Sequence, residues 1–395
     1  MQLHELDLAG RRALIRVDFN VPMNEALEIT DDTRIRAALP TIEFVLRQGA
    51  SVVLMSHLGR PKGPSDALSL RHLVPHLSQL LGRPVKFAPD CVDDAALDVT
   101  QSLLPGEVAL LENLRFHPEE ESGDEFFAGQ LAENGDVYIQ DAFGTAHRAH
   151  ASTAVIARFF PEDKGFGLLM GQEVEALERV LGRPERPVTA IIGGAKVSSK
   201  LGIIGHLVGR VDKLVIGGGM AYTFVLARGG AVGSSLTEPD RVGEARAILE
   251  RAAAAGTELL LPVDAVAADR FAPDSATQVV PVDAVPEGWM GLDIGPESVE
   301  RFRAAILSSK TVLWNGPMGV FEMPAFAEGT RAVAEALVEA TQTGGAFTLV
   351  GGGDSVAAIN QMGYAEQVGY VSTGGGAMLE YLEGTVLPGI AAIQD

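Results

Sequence analysis

The sequence predicts an α/β protein with two doubly wound, parallel-sheet (Rossmann-like) domains joined by a hinge helix. Three observations support this fold class. The chain has 395 residues, more than one hydrophobic core usually organises. Short β-branched runs alternate with longer amphipathic segments, as they do in βαβ units. Several of these runs, such as Ser51–Met55 and Val188–Ile192, are almost entirely apolar, which is typical of strands buried on both faces of a parallel sheet.

The predicted strands form two series with helices between them. Strands are predicted at residues 13–19, 51–55, 85–87, 108–111 and 137–140, and then at residues 188–192, 213–216, 258–261, 311–314 and 348–350. Helices are predicted at residues 33–47, 70–81, 124–133, 241–255, 299–307 and 325–341. Another helical pattern, residues 173–181, precedes the second series and is interpreted as the connector. We therefore expect an N-terminal domain of residues 1–170 and a C-terminal domain of residues 171–383.

Composition excludes several classes of protein. Lys and Arg total 31 against 52 Asp and Glu, a formal net charge of −21, so the chain is not expected to bind nucleic acid. The single cysteine, Cys91, cannot form an intramolecular disulfide, which favours a reducing, cytoplasmic location. Neither a secretory signal pattern nor an apolar run of about 18 residues is present. No membrane association is therefore expected.

In the first half, basic side chains follow the predicted strands, where ligands bind in open α/β sheets. Arg34 is predicted in the first turn of a helix that Asp32 or Thr33 caps, a position where a cation opposes the helix dipole. A lone arginine is usually a surface ion-pair partner. The joint placement is harder to explain in that way and indicates a site for a small substrate with several anionic groups. The polar residues of this set are Asp18, Asn20, Arg34, His57, Arg60, Arg115 and Arg148. The histidines His117, His147 and His150 fit a site or a partly buried structural role equally well.

In the second half, glycine clusters lie between predicted strands and helices. There is no P-loop of the form G-x-x-x-x-G-K-[ST] and no G-x-G-x-x-G fingerprint. Instead, bare amides at helix starts are expected to bind phosphate. These clusters are 193–194, followed by Lys196 and Lys200; 351–353, followed by Asp354 and Ser355; and 374–376. Lys200 is predicted about one turn inside its helix.

Other polar residues in this half have alternative roles. Asp354 is either a helix N-cap or a ligand of Mg²⁺. Glu322 is a candidate to hydrogen-bond a ribose. Four apolar residues are expected in the core first and in an adenine pocket second: Met220, Phe224, Leu292 and Val320.

Taken together, these motifs resemble the phosphoglycerate kinase family over essentially the whole chain. The matching segments are 16–22 (RVDFNVP), 31–35 (DDTRI), 57–61 (HLGRP), 111–116 (LENLRF), 141–148 (DAFGTAHR), 193–197 (GGAKV), 314–317 (WNGP), 351–354 (GGGD) and 372–377 (STGGGA). They occur in the family's order. One departure is the turn at residues 23–28 (MNEALE), which lacks the glycine usual in the family.

The resemblance implies reversible transfer of the 1-phosphate of 1,3-bisphosphoglycerate to MgADP, giving 3-phosphoglycerate and MgATP in glycolysis and gluconeogenesis. It also implies a monomer whose C-terminal segment, residues 384–395, packs on the N-terminal domain. The implied glycerate-binding residues are Asp18, Asn20, Arg34, His57, Gly59, Arg60, Arg115 and Arg148. The implied nucleotide-binding residues are Lys196, Lys200, Gly291, Glu322, Gly351, Gly352, Gly353, Asp354 and Ser355, with Asp354 holding Mg²⁺.

No general base is expected, because an acyl phosphate donates to an ADP oxygen that is already ionised. Positioning and charge stabilisation are then the main catalytic effects. Arg34 and Lys200 are the predicted cationic stabilisers, aided by amides at Gly353 and Gly375. The substrates are expected in different lobes, so closure about the hinge is expected to bring them into line and exclude water.

Three other functions remain open on the sequence. A nicotinamide-dependent dehydrogenase has the same fold class, but its fingerprint is missing. Gly353 to Ala357 loosely resembles the nucleophile elbow of a hydrolase, although Ser355 is more readily a helix cap. A non-catalytic binding protein could keep the fold without the activity.

Overall fold

The computed structural model describes residues 2–395, which form two compact units. The first unit contains the described residues up to Val174 together with Val386–Asp395, and the second contains Glu175–Thr385. Among residues 2–395, no helix combines the length and apolarity that a membrane span requires.

The first unit is built on a six-stranded parallel sheet with the order β3-β4-β2-β1-β5-β6. Its strands are β1 (Arg12–Arg16), β2 (Ser51–Met55), β3 (Val85–Phe87), β4 (Val108–Leu110), β5 (Val137–Gln140) and β6 (Lys164–Phe166). Its helices are α1 (Thr33–Arg47), α2 (Val74–Leu81), α3 (Asp94–Gln101), α4 (Pro118–Ser122) and α5 (Glu125–Ala132), and α6 (Leu168–Leu177) begins in it. Ala13 pairs with Val52 on one side and Val137 on the other, which places β1 in the middle of the sheet.

The second unit contains a second six-stranded parallel sheet with the order β10-β8-β7-β15-β16-β17. The strands of this unit are β7 (Val188–Ile192), β8 (Lys213–Ile216), β9 (Ala231–Val232), β10 (Glu258–Leu260), β11 (Asp264–Ala268), β12 (Thr277–Pro281), β13 (Ala284–Val285), β14 (Met290–Ile294), β15 (Thr311–Asn315), β16 (Phe347–Gly351) and β17 (Tyr370–Val371). Its helices are α7 (Leu201–Leu207), α8 (Ala221–Ala227), α9 (Val242–Ala255), α10 (Pro296–Leu307), α11 (Glu328–Gln342), α12 (Gly353–Gln361) and α13 (Gly376–Leu382). The direction of winding reverses between β7 and β15, the position at which doubly wound sheets bind ligands.

Burial explains why these segments become strands. Every residue of β2, β5, β7 and β15 is buried, as expected for strands that helices cover on both faces. The largest fully buried side chain is that of Trp314 in β15. The predicted fold class is thus confirmed, and the predicted bounds of β2, β3, β5, β7 and β8 are reproduced.

Several predicted boundaries are wrong. Strand β1 ends at Arg16, not at residue 19, so Asp18 and Asn20 lie in the loop beyond it. The connector helix α6 begins at Leu168, and its last turn, Glu178–Gly182, is π-helical. The second unit also contains a small antiparallel sheet of order β12-β11-β14, which was not predicted. Most of β12 is exposed, so it lacks the apolar run that marks the other strands.

The chain returns to the first unit through α14 (Pro388–Gln394). The backbone nitrogen of Gly389 donates to the carbonyl of Ala146 at 2.8 Å. Lys164 Nζ donates to the carbonyl of Ala392 at 2.8 Å, and Ile393 is buried. This segment therefore packs as an integral part of the first unit.

Candidate active site

A carboxylate and a backbone carbonyl hold Arg34 at the carboxyl end of the first sheet. Arg34 Nη1 lies 3.1 Å from both oxygens of Asp18 and donates to the carbonyl of Asn20 at 3.1 Å. The Asp18 carboxylate also accepts from the backbone nitrogen of Asn20 at 3.2 Å. About half of the Arg34 side chain stays exposed, so its guanidinium is anchored at one edge and open at the other.

The start of α1 differs in detail from the prediction. Asp32 occupies the N-cap position, as predicted, but its side chain makes no capping hydrogen bond. It pairs instead with Arg36 at 2.9 Å and His76 at 2.8 Å. Asp31 accepts from the backbone nitrogen of Thr33 at 2.9 Å. The neighbouring carboxylate thus takes over the capping, and Arg34 is left in the first turn.

The loop after β2 joins the next group of predicted residues. Gly59 donates its N–H to Asn20 Oδ1 at 2.9 Å and accepts from Arg115 Nη1 at 2.9 Å. Asn113 holds the same loop by bonding both backbone groups of Leu58. Hydrogen bonds between residues 39 and 56 positions apart in the sequence therefore bring Asn20, Gly59 and Arg115 together, as the sequence predicts.

The remaining basic residues surround this core of contacts. His57 is almost fully buried, whereas Arg60 and Arg148 are exposed. Burial is the main cause that lowers the pKa of Arg115, and the positive charges of Arg16 and, less strongly, Arg60 lower it further. Arg148 likewise contributes to lowering the pKa of a nearby histidine, His150. The cations are thus close enough to repel one another, an arrangement that a bound polyanion would relieve.

Burial and neighbouring arginines favour the neutral form of two histidines in this region. Burial, followed by the charges of Arg16 and Arg115, places the pKa of His57 well below its usual value. Burial and the same arginines lower the pKa of His150 to about 4. His117, by contrast, has a raised pKa because it bonds Asp90, at 3.2 Å. His117 therefore belongs to a separate ion pair.

In the second unit, Lys200 faces a cavity of 390 Å³ lined by the glycine-rich loops. Its Nζ donates to Asn315 Oδ1 at 2.6 Å. Lys200 is not one turn inside a helix, as predicted: a short 3₁₀ turn, Val197–Ser199, intervenes, and Lys200 is the residue just before α7. Its pKa is lowered by burial, against the opposing effect of Asp354 and Glu383.

Glycine is required where β7 and β15 end. A Cβ on Gly193 would lie 2.2 Å from the carbonyl oxygen of Pro317, and one on Gly316 would lie 2.2 Å from that of Gly193. Because neither glycine carries a side chain, the two loops pack backbone against backbone at the point where the winding reverses. Lys196, which is exposed, lines the adjoining cavity.

The α12 start differs from the prediction for two residues. Gly352, with φ of +86°, is the N-cap, so Asp354 lies inside the first turn and does not cap the helix. Ser355 is not a cap either: it is fully buried, and its Oγ accepts from the backbone nitrogen of Gly316. Gly353 and Asp354 line the 390 Å³ cavity, and the buried Gly351 precedes them at the end of β16. Gly375, the N-cap of α13, is not among the lining residues of this cavity.

A second cavity, of 580 Å³, adjoins the first and shares Gly194, Ala195 and Asp354 with it. Gly291 and Glu322 both line it, and the Gly291 nitrogen donates to Ser235 Oγ at 2.9 Å. The alternatives left open for the apolar residues are now resolved. Leu292 and Val320 line this cavity, whereas Met220 and Phe224 are fully buried core residues outside its lining.

The sequence located part of the remaining wall. The cavity is also lined by Gly218, Gly219, Tyr222, Leu236, Pro317 and Met318. The glycine triplet at 217–219 and the segment 314–318 follow predicted strands, which placed them at the binding edge of the sheet without assigning them a contact. Tyr222 and Leu236 gave no such signal, because the chain brings them to the site only through its tertiary fold.

Comparisons with known proteins agree along the whole chain. A model of the family described as "Phosphoglycerate kinase" matches residues 3–385. The phosphoglycerate kinase of Porphyromonas gingivalis is 52% identical over 418 residues, covering 100% of both chains. That of Chloroflexus aurantiacus is 55% identical over 396 residues, covering 100% of this chain and 98% of its own.

Two solved structures extend the agreement to three dimensions. The phosphoglycerate kinase of Coxiella burnetii has a TM-score of 0.92 at 39% identity, and that of Pyrococcus horikoshii has 0.81 at 32%. Each comparison covers 100% of this chain and 98% of the other. The sequence motifs, the fold and these relatives lead to one assignment: the chain belongs to the phosphoglycerate kinase family.

Proposed function

We propose that this chain transfers the 1-phosphate of 1,3-bisphosphoglycerate to MgADP, giving 3-phosphoglycerate and MgATP, and that it catalyses the reverse reaction. As a member of this kinase family it is a phosphotransferase. The observation that carries the proposal is the division of chemistry between the units: an anchored cation, Arg34, in a basic cluster of the first, and Lys200 beside a glycine-lined cavity in the second.

The glycerate substrate is assigned to the first unit. Its phosphate and carboxylate are multiply charged, and arginine offers paired donors to both groups. The Arg34 side chain is about half exposed, whereas that of Arg115 is only 13% exposed and donates to the carbonyl of Gly59. The proposed contacts are those of Asp18, Asn20, Arg34, His57, Gly59, Arg60, Arg115 and Arg148.

The nucleotide is assigned to the second unit. The 580 Å³ cavity has the size of a small-molecule site and apolar walls for a base. Glu322 is the proposed ribose partner, and amides at the start of α12 are the proposed phosphate donors. The proposed contacts are those of Lys196, Lys200, Gly291, Glu322, Gly351, Gly352, Gly353, Asp354 and Ser355. The role of Ser355 is indirect: its buried hydroxyl accepts from the backbone nitrogen of Gly316 and so holds the loop that lines the cavity.

Magnesium enters with the nucleotide. The Asp354 carboxylate is exposed and lines both cavities, and hard carboxylate oxygens suit Mg²⁺. When bound with the nucleotide, the ion neutralises charge on the phosphate oxygens. Asp354 is therefore the proposed protein ligand.

The chemistry needs no proton acceptor, because the attacking ADP oxygen is ionised. Arg34 and Lys200 are proposed to stabilise the transferring phosphoryl group, with amides of Gly353 and Gly375 adding donors. Lys200 suits this role because Asn315 fixes its ammonium and partial burial reduces its solvation. Electrostatic stabilisation is strongest where water is excluded.

The assignment of the two substrates to different units requires hinge bending during turnover. Closure would also protect the acyl phosphate from hydrolysis. Small-angle scattering should give a smaller radius of gyration when 3-phosphoglycerate and a nucleotide are bound together than with either alone. An unchanged radius would count against closure.

The decisive test is a coupled assay of ATP formation from 1,3-bisphosphoglycerate and MgADP. Absence of turnover in the folded chain would refute the proposal and favour a non-catalytic binding role. Thermal-shift titration with MgADP and with NAD separates the kinase from the dehydrogenase alternative. The hydrolase alternative is disfavoured because Ser355 is buried. We further propose a cytoplasmic monomer, which gel filtration with light scattering can test for oligomeric state.

A further inference from the structure

The side chain of Arg16 is buried directly behind His57. Only 1% of Arg16 is exposed. Its Nε donates to Ser152 Oγ at 2.8 Å, one Nη donates to the carbonyl of Val17, and the other lies 3.2 Å from His57 Nδ1. Each of the three guanidinium nitrogens thus has a protein partner, and one of these partners is an imidazole nitrogen.

This contact determines where the imidazole carries its proton. A guanidinium has only N–H donors and no acceptor. Nδ1 of His57 must therefore accept, and a neutral ring that accepts at Nδ1 carries its hydrogen on Nε2. The contact with Arg16 occupies Nδ1, so Nε2 is the ring nitrogen left to carry the hydrogen. The Nε2–H is therefore available to a ligand.

The charges around the ring oppose a second proton. Arg16 approaches from β1, Arg34 from α1, Arg115 from the loop after β4 and His150 from the loop after β5. Burial is the largest cause that lowers the pKa of His57, and the three arginine charges, together with His150 when it is protonated, lower it further. A cationic imidazole would sit among three permanently charged guanidinium groups.

A buried acid lies behind Arg16: burial raises the pKa of Glu120, and the charge of Arg16 opposes that rise. Glu120 in α4 is fully buried, and it accepts from the Ser152 hydroxyl at 2.6 Å and from the Ser152 nitrogen at 2.9 Å. Tyr138 Oη fixes the same segment by donating to the carbonyl of Ser152 at 2.9 Å. The order of contacts is Glu120, Ser152, Arg16, His57. This chain leaves Arg16 little freedom to turn away from the ring.

We propose that Arg16 is a positioning residue that locks His57 as its neutral Nε2–H tautomer, so that His57 meets the anionic glycerate substrate as a single hydrogen-bond donor and not as a cation. The role towards substrate rests on the proposed function, whereas the tautomer is a property of the free protein. The arginines then bind the negative charge of the substrate, and His57 orients the substrate through one hydrogen bond.

Nitrogen NMR of the uniformly ¹⁵N-labelled chain tests the tautomer. The chain has eight histidines, and the two-bond proton–nitrogen spectrum of His57→Gln identifies the ring that disappears. We expect His57 to show a bare Nδ1 and a protonated Nε2 at every pH from 5 to 8. His117, whose pKa is raised by Asp90, provides the contrasting ring in the same spectra. An Nδ1–H tautomer or a cationic His57 at pH 7 would overturn the proposal.

Titration with 3-phosphoglycerate tests the donor role. We expect the Nε2 resonance of His57 to move while Nδ1 stays unprotonated. If the coupled assay shows turnover but Nε2 does not respond, the donor role is wrong and the proposed function stands. If the tautomer is as proposed but no turnover occurs, the proposed function fails and the Arg16 contact stands.

A charge-balanced variant tests the role of Arg16. Arg16→Met combined with Glu120→Gln removes the donor and its counter-charge together, which avoids an unpaired buried acid. We expect the neutral ring of His57 to populate both the Nδ1–H and the Nε2–H tautomer in this variant, because the donor to Nδ1 is gone, and KM for 3-phosphoglycerate to rise. A His57 that keeps the parent spectrum would overturn the role of Arg16. If this variant does not fold, the spectrum of the parent chain still decides the tautomer.

Discussion

The ammonium nitrogen of Lys200 lies 2.6 Å from the amide oxygen of Asn315. Asn315 is the last residue of the central strand β15 and is fully buried, and its own Nδ2 has no hydrogen-bond partner among residues 2–395. A rigid strand end therefore positions a lysine that the loop after β7 supplies. This pair carries the first prediction.

Replacing Lys200 should abolish most of the chemistry. We expect Lys200→Ala to lower kcat at least ~100-fold, the scale of one lost transition-state stabiliser. Asn315→Ala should lower kcat about 10-fold or more through loss of a charged hydrogen bond. Lys310→Ala, an exposed lysine of the same unit, is the control and should retain activity. Near-normal turnover by folded Lys200→Ala would refute its role.

Arg34 can be tested against a neighbour on the same helix. Arg34→Ala should lower kcat at least ~100-fold and raise KM for 3-phosphoglycerate, because the Asp18 carboxylate would face the anionic substrate without its partner. Arg36→Ala provides the matched control, since Arg36 pairs with Asp32 away from this cluster. Steady-state kinetics of both variants decide the point. Equal effects of the two changes would contradict the assignment.

A buried acid beside α6 should make the stability of the first unit depend on pH. Burial raises the pKa of Asp141 from 3.8 to about 7. Between these values the folded state keeps a proton that the unfolded state has lost, so this group's contribution to stability is present at low pH and is lost as pH rises towards 7. Asp141→Asn should remove that loss. The free energy of unfolding of the variant, relative to that of the parent, should therefore rise by about 1–3 kcal/mol from pH 5 to pH 8.

Thermal unfolding at the two pH values measures this difference. The pKa of Asp293 in the second unit is also raised to about 7 by burial, but its effect is common to parent and variant and cancels. An Asp141→Asn variant whose Tm differs from that of the parent by the same amount at pH 5 and pH 8 would disprove the prediction.

The turn that lacks the family's usual glycine holds a strained residue. Leu27 has φ of +61°, the only positive φ of a non-glycine residue within residues 2–395. A left-handed backbone conformation costs such a residue about 1–2 kcal/mol. Glycine avoids this strain, but it loses more backbone entropy on folding, which offsets part of the gain. Leu27→Gly should therefore stabilise the first unit by ~0.5–1 kcal/mol. Ala26→Gly, one residue away, should destabilise it slightly. Denaturant titration that ranks the two variants in the opposite order would contradict this account.

Local sequence patterns predicted the sheets and failed where contacts are long-range. The strand Val188–Ile192 is buried on both faces, so its apolar run alone identifies it. The exposed strand Thr277–Pro281 has no such run. Within the site, glycine clusters and strand ends indicated most positions. The contact of Arg16 with Ser152 spans 136 residues, and no local pattern can encode it.

The return of the chain to the first unit has a consequence for biosynthesis. The second unit is one continuous segment, but the first needs Val386–Asp395 for the contacts of Gly389 with Ala146 and of Lys164 with Ala392. A ribosome makes these residues after all of the second unit. The first unit therefore leaves the ribosome first and is completed last, with Ala146 and its neighbours uncovered in between. Nascent chains halted before residue 386 should consequently be the form that chaperones recognise.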